Sequence, residues 1–246
     1  MLKKVCGKGF PSRVSRFSGD SATIRSTNIN YTTKPSGYIL LEISSKTNYS
    51  TMSRKTKIEH KDGLYFLTFT CAKWINLFEI TKSYDLVYNW FNILKKNGNN
   101  ICGYVIMPNH LHAIIAFKNA ENKAIDTMVG NGKRFMAYEI IERLKENKNT
   151  ELLNELSNIV TVSDRKRGKL HEVFEPSFDW KECISDEFTE TKLNYIHNNP
   201  CSGKWNLVKS PQDYLHSSAK YYEIGQQGVY KVFNYKELND VLFIKE

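Results

Sequence analysis

The sequence predicts an α+β protein in which helices pack on one face of an antiparallel sheet. Three observations predict this fold class. Strand-like apolar runs and amphipathic segments follow one another in the order strand, helix, strand, strand, helix, strand. A Pro-Asn turn joins the two middle strands directly. The 246 residues, 41% of them hydrophobic, are enough for one sizeable core.

The first strand and the first helix have clear signals. Residues 64–71 form a continuous β-rich run, which indicates a central strand. Ser83 is a suitable cap for a helix that Gly98 would end. Its predicted inward face consists of Tyr84, Val87, Trp90, Phe91 and Leu94.

The middle strands and the second helix come next. A second strand over 101–107 turns at Pro108-Asn109 into a third strand over 110–117. A second helix is expected over roughly 125–148, although the Gly130-Asn131-Gly132 stretch weakens its start by about 1 kcal/mol per glycine. Its predicted inward residues are Phe135, Met136, Ile140, Ile141 and Leu144.

The last part of the domain is predicted to hold the fourth strand and a final helix. A leucine-bearing helical piece near 151–157 and a basic loop lead to the fourth strand, His171–Phe174. This order of elements is that of a ferredoxin-like or RRM-like fold, with one face of the sheet free for a ligand. The final helix should run from Asp186 to Asn198 or Asn199, with Ser185 as its cap and a proline at its end.

The chain changes texture near residue 51. Residues 1–51 are basic, rich in Ser and Thr and poor in periodicity, so we predict a disordered or poorly packed leader. We expect the domain to span 52–225 and a C-terminal tail to span 226–246. The leader holds eight basic and two acidic residues, so +6 of the net charge of +9 lies there.

Nucleic-acid binding by the domain must therefore rest on local basic patches, for each of which a solvated loop is the alternative. The candidate DNA contacts are Arg54, Lys55, Lys57, Lys133, Arg134, Arg165, Lys166, Arg167 and Lys169.

Cysteine use and hydropathy narrow the class of protein. The five cysteines are scattered without a C-x-x-C pair, which indicates a reducing compartment and neither a disulfide framework nor a cysteine-based zinc site. No run of about eighteen apolar residues occurs, so the sequence predicts no membrane-spanning helix.

The stretch 107–117, MPNHLHAIIAF, is the most informative part of the sequence. Side chains alternate along a strand, so His110 and His112 share one face and the residue between them points to the other. The two imidazoles would lie about 7 Å apart, close enough to bind one metal ion. An H-x-H pair is by itself more often two half-exposed histidines, so the metal prediction depends on a second cluster.

That second cluster lies on the final helix. By helical periodicity Lys192, Tyr195 and Asn199 share one face. If this face meets the sheet where the two histidines project, the site contains two imidazoles, an amide oxygen and a phenol. The alternatives are a structural role for Tyr195 and a simple helix stop at Asn198-Asn199-Pro200.

The motifs VIMPNHLHAII, KLNYIHNNPCSGKW and PQDYLHSSAKYY resemble those of the REP-associated tyrosine transposases, single-tyrosine relatives of the insertion-sequence transposases among the HUH nucleases. The resemblance covers roughly residues 52–222. It implies that His110 and His112 bind a metal and that Asn199 helps to hold it. Tyr195, at the head of YIHNNP, would be the nucleophile.

The sequence departs from the family pattern twice, at Cys201–Lys204 after the NNP motif and at Gly130–Gly132 in an expected continuous basic helix.

The resemblance implies a transposase-type endonuclease that uses Mg²⁺ or Mn²⁺ on single-stranded DNA with hairpins or imperfect palindromes. Attack by Tyr195 would leave a 5′-phosphotyrosine and a free 3′-hydroxyl, with Lys192 and the ion favouring the phenolate. We expect a cytoplasmic, nucleoid-associated bacterial protein, monomeric or homodimeric. Two alternatives stay open: a non-catalytic single-stranded nucleic-acid-binding module on the same fold, and a metal-dependent phosphodiesterase that activates water.

Overall fold

The computed structural model describes residues 62–118 and 125–242, with side chains up to residue 238. It also describes two short strands, β1 (Thr32–Thr33) and β2 (Ile39–Leu40), which pair antiparallel with each other. The predictions for the rest of the leader and for Arg54, Lys55 and Lys57 lie outside the described residues.

The chain divides into two units, Met1–Met52 and Ser53–Glu246. The second unit holds the sheet and helices that follow. Among the helices described, none combines the length and the apolar character needed to cross a membrane.

A four-stranded antiparallel sheet forms the centre of this unit. Its strands are β3 (Gly63–Thr70), β4 (Asn100–Met107), β5 (His110–Phe117) and β6 (Asp179–Glu182). They lie side by side in the order β4-β5-β3-β6, so the first and third strands of the domain are central. With a helical crossover after β3 and another after β5, this order confirms the predicted ferredoxin-like fold.

The helices follow the predicted order. After β3 come α1 (Leu77–Ile80) and α2 (Tyr84–Lys96). After β5 come α3 (Ile125–Glu146), α4 (Thr150–Asn158) and α5 (Val162–Lys166). After β6 come α6 (Asp186–Asn198), α7 (Ala219–Ile224) and α8 (Tyr235–Leu242).

Helices α2 and α3 pack on one face of the sheet. All five residues of α2 that were predicted to face inward are buried, and so are four of the five in α3. The exception is Phe135, which is exposed, so its prediction was wrong. The buried stripe of α3 runs through Gly132, Met136 and Ile140, and Phe135 lies about 100° away from Met136 around the helix.

Gly130 and Gly132 do not interrupt α3, which is continuous across them. A Cβ at Gly132 would lie 2.4 Å from the indole nitrogen of Trp90 on α2, so only glycine lets the two helices approach this closely. A Cβ at Gly130 would meet nothing within 4 Å. Helix packing therefore explains the glycine at 132, and not the one at 130, in this departure from the family pattern.

The fourth strand lies further along the chain than predicted. Phe174, in the predicted strand, makes only an isolated bridge to Cys71, the residue that follows β3. Pro176 lacks an N–H group and interrupts the pairing, which resumes as β6. The sequence of β6, Asp-Trp-Lys-Glu, is mostly charged and exposed, so no hydrophobic pattern marks it.

The second face of the sheet is covered, and the prediction of a free face was wrong. Leu193 and Ile196 of α6 share a buried cluster with Leu64 and Ile114 of the sheet. These strand residues are apolar, so their burial under α6 removes apolar surface from water. The segment predicted as a tail also packs here, and its Tyr235 belongs to the same cluster.

Candidate active site

Two buried histidines lie side by side on β5, on the face covered by α6. The centroids of the His110 and His112 rings are 4.8 Å apart, and the rings are inclined at 76°. They are closer than the spacing of about 7 Å expected between alternate residues of a strand. The two rings thus turn toward one common point.

Each imidazole is held through its Nδ1 atom. The Nδ1 of His110 lies 2.7 Å from Oδ1 of Asn109, and the Nδ1 of His112 lies 2.6 Å from Oγ1 of Thr68. The Nδ2 of Asn109 donates to the Trp74 carbonyl at 2.6 Å, so its Oδ1 must accept from His110. In its neutral form His110 therefore carries its proton on Nδ1 and its lone pair on Nε2, and the Thr68 hydroxyl can accept from His112 in the same way.

Burial keeps both histidines neutral. It lowers the pKa of His110 to about 4, helped by the charge of Lys204 and opposed by a hydrogen bond to Asn199. Burial also lowers the pKa of His112 to about 3, helped by the positive charge that His110 gains when it is protonated and by the charge of Lys192. Neutral imidazole is the form that binds metal ions.

Helix α6 brings Tyr195 to the histidines. Ser185 begins this helix by accepting a hydrogen bond from the Phe188 N–H at 3.2 Å. The ring of Tyr195 lies 5.2 Å from that of His112, centroid to centroid, and its residue surface is 52% exposed. The Lys192 ammonium lies 5.9 Å from the centroid of the Tyr195 ring.

The position of α6 depends on a glycine of β4. A Cβ at Gly103 would lie 2.5 Å from Cδ2 of Leu193, so the helix lies directly against the strand backbone there. The register of β4 with β5 shifts between Ile101 and Gly103, which marks an irregularity of the strand at the contact.

The two asparagines at the end of α6 point in different directions. The Nδ2 of Asn198 donates back to the Asn194 carbonyl at 2.8 Å. Asn199 keeps a helical backbone as the C-cap, and its side chain approaches His110 closely enough to raise the pKa of that imidazole. The structure thus brings Asn199, and not Asn198, to the histidine pair.

The donor set of the pair fits a divalent metal ion. Within residues 62–118 and 125–238, no group of three His, Cys, Asp or Glu side chains is placed to hold a metal. The carboxamide of Asn199, which influences the pKa of His110, would be a neutral third ligand for a metal at the histidine pair. Such a set would leave positions for oxygen ligands from water and substrate.

Sequence reasoning missed three residues at the edge of the site: Trp74, Lys204 and Trp205. The ring centroid of Trp74 lies 5.7 Å from that of His110, and the centroid of Trp205 lies 5.8 Å from it. The Lys204 ammonium is 5.6 Å from the Trp74 ring and 5.1 Å from the Trp205 ring. The Gly-Lys-Trp stretch after the NNP motif was the one available signal.

Lys133, a predicted DNA contact, is bound by the protein itself. Its ammonium group donates to the carbonyl of Glu175 at 2.6 Å and lies 3.4 and 3.5 Å from the next two carbonyls. Burial lowers its pKa to about 8. We therefore assign Lys133 a structural role, holding the segment that precedes β6.

Some of the other predicted DNA contacts are paired with groups of the protein, and others are exposed to solvent. Arg167 pairs with Asp164 at 2.5 Å, and Lys169 pairs with Glu172 at 2.5 Å. Arg165 donates to the carbonyl of Ser157. Arg134 and Lys166 are exposed.

Comparison with known proteins gave distant structural similarities. No protein-family model and no curated protein matches the sequence. A solved REP-associated tyrosine transposase bound to a REP hairpin is similar at 17% identity and a TM-score of 0.43, over 70% of this chain and 90% of that one. A candidate transposase from Deinococcus radiodurans is similar at 16% identity and a TM-score of 0.34, over 59% of this chain and 96% of that one. Both similarities are too distant to assign an activity.

Proposed function

We propose that this protein is a metal-dependent endonuclease and strand transferase of the transposase type, which cuts single-stranded DNA by forming a 5′-phosphotyrosine at Tyr195. One observation carries the proposal: the half-exposed Tyr195 ring lies 5.2 Å from His112 of a buried, neutral histidine pair. The resemblance of the motifs around these residues to the REP-associated tyrosine transposases supports it.

His110, His112 and Asn199 would hold the metal ion, Mg²⁺ or Mn²⁺. When bound, such an ion polarises the scissile phosphate and offsets the charge that develops in the transition state. The hydrogen bond from His110 to Asn109 fixes the orientation of that ring before any ligand arrives.

Tyr195 would attack the scissile phosphorus. Its Oη forms a new P–O bond, the bond from phosphorus to the 3′ oxygen breaks, and the phenolic proton passes to solvent. The leaving 3′ oxygen takes up a proton from solvent and becomes a free hydroxyl. The ammonium group of Lys192, 5.9 Å from the centroid of the Tyr195 ring, would support the phosphate as negative charge develops on it.

Strand transfer would be the reverse of cleavage with a different strand. A 3′-hydroxyl attacks the phosphotyrosine, a phosphodiester re-forms, and the Tyr195 oxygen leaves and regains a proton. Because one phosphate ester replaces another, the bond energy is kept and ATP is not needed.

The substrate that we propose is single-stranded DNA next to a hairpin or imperfect palindrome, as the motif resemblance implies. Exposed cations such as Arg134 and Lys166 are available to neutralise its phosphates. We further propose that the protein acts on nucleoid DNA in the bacterial cytoplasm, as a monomer or homodimer.

A covalent adduct on a denaturing gel tests this proposal. A pool of hairpin oligonucleotides with randomised single-stranded flanks, labelled at the 3′ end, is incubated with Mn²⁺ and the protein. The wild type should become labelled, because a 5′-phosphotyrosine retains the 3′ fragment. Tyr195→Phe should bind DNA but form no adduct, whereas Tyr138→Phe, at an exposed tyrosine of α3, should behave as wild type.

Other outcomes of this experiment identify the two alternatives. Cleavage without an adduct, retained in Tyr195→Phe, would indicate a phosphodiesterase that activates water. If the wild type and both variants bind the DNA and none of them cleaves it, the protein would be a non-catalytic binding module.

A further inference from the structure

An exposed indole stands at the edge of the histidine pair. Trp74 is 56% exposed although its ring lies 5.7 Å from that of the buried His110. The ammonium group of Lys204 lies 5.6 Å from the centroid of the Trp74 ring. A flat apolar ring and a cation therefore border the position where the scissile phosphate would bind.

The indole of Trp74 is positioned by a backbone conformation that is unfavourable for residues other than glycine. Lys73 and Trp74 have φ values of 50° and 59°, the left-handed region that bulky residues rarely adopt. The Lys73 N–H donates to Oε1 of Glu175 at 2.9 Å, and the Trp74 carbonyl accepts from Asn109 at 2.6 Å. Because Asn109 also accepts from His110, one amide fixes both the indole and the histidine.

We propose that Trp74 is a stacking platform for the nucleobase next to the scissile phosphate, and that Lys204 neutralises a phosphate beside that base. An indole accepts any base, since every base presents a flat π face, and such stacking contributes about 5- to 150-fold in affinity per base. An aromatic ring with a cation near it suits single-stranded DNA, because each nucleotide carries a flat base and a negatively charged phosphate. This inference rests on the proposed function for the position of the DNA strand.

Binding of two probes of equal length and charge tests the platform. Fluorescence anisotropy compares a labelled oligothymidylate with an oligonucleotide in which every position is abasic, using the full chain without divalent ions. Trp74→Leu should weaken oligothymidylate binding about 5- to 150-fold and leave the abasic strand unaffected. Trp74→Tyr should retain most of the preference for bases.

Two further variants separate the base contact from the phosphate contact. Lys204→Gln should weaken both probes equally and reduce the slope of log K against log salt by about 0.7. Tyr138→Leu, at an exposed aromatic residue of α3, should change neither probe. Quenching of wild-type tryptophan fluorescence by oligothymidylate, and not by the abasic strand, would support the platform without any substitution in the chain.

The platform is refuted if Trp74→Leu weakens both probes alike or neither, with a melting temperature equal to that of the wild type. It is also refuted if the abasic strand quenches wild-type tryptophan fluorescence as strongly as oligothymidylate does. If binding prefers bases through Trp74 but the protein forms no covalent adduct, the proposed function is refuted and the stacking platform is supported. An adduct in a protein whose binding ignores Trp74 would remove the platform alone.

Discussion

Replacing Gly132 by alanine tests how closely α2 and α3 pack. In a helix interior alanine is favoured over glycine by about 1 kcal/mol. At Gly132, however, the new Cβ would lie 2.4 Å from Nε1 and 2.7 Å from two carbons of the Trp90 indole. This indole is buried and contacts Phe69 and Phe91, with ring centroids 6.0 and 5.7 Å away, so it cannot move freely. Overpacking of this kind costs about 1–3 kcal/mol. After the gain of about 1 kcal/mol in helix propensity, Gly132→Ala should change the free energy of unfolding by between about 0 and −2 kcal/mol.

Gly130→Ala is the matched control, because it lies in the same helix and its new Cβ would meet nothing within 4 Å. It should raise the free energy of unfolding by up to about 1 kcal/mol. Urea unfolding followed by circular dichroism measures both variants, and Gly132→Ala should be about 1–3 kcal/mol less stable than Gly130→Ala. Equal stability of the two would refute the packing role of Gly132.

Three other predictions concern the metal, the end of α6 and Lys133. Cleavage should require Mg²⁺ or Mn²⁺ and be lost in excess chelator, in His110→Ala and in His112→Ala; full activity in chelator would exclude the metal role. Asn199→Ala should weaken metal-supported cleavage about 10- to 100-fold across a metal titration, while Asn198→Ala should change mainly stability, and the opposite result would place the wrong asparagine at the histidines. Burial lowers the pKa of Lys133 from 10.5 to about 8, so the unfolded chain binds its proton more tightly and wild-type stability should rise with pH between those values. Lys133→Met should lack this rise in urea unfolding, and parallel pH curves for the two proteins would contradict it.

The sequence predicted the elements whose signals are local. Ser185 marks the start of α6 and Pro200 follows its end. The helical register that places Tyr195 and Asn199 on one face could therefore be worked out from the sequence. Alternation along β5 likewise predicted that His110 and His112 share a face. These features depend on neighbours a few positions apart.

Features set by distant contacts could not be predicted in this way. The charged strand β6 forms because it pairs with the edge of β3. The residues of β6 have no sequence pattern typical of a strand. Trp74 reaches the histidines through a left-handed backbone stabilised by Asn109, which lies 35 positions away in the sequence. The burial of Gly132 depends on a tryptophan of another helix.

The contact between Gly103 and Leu193 restricts how strand exchange could proceed. Because α6 packs against the backbone of β4, Tyr195, the proposed nucleophile, cannot move along the sheet without losing this contact. If the protein cleaves DNA as proposed, the 5′ end of the DNA would be attached to a helix that packs directly against β4. In the proposed strand transfer, the incoming 3′ end would then have to reach the phosphotyrosine while the contact between Gly103 and Leu193 is kept.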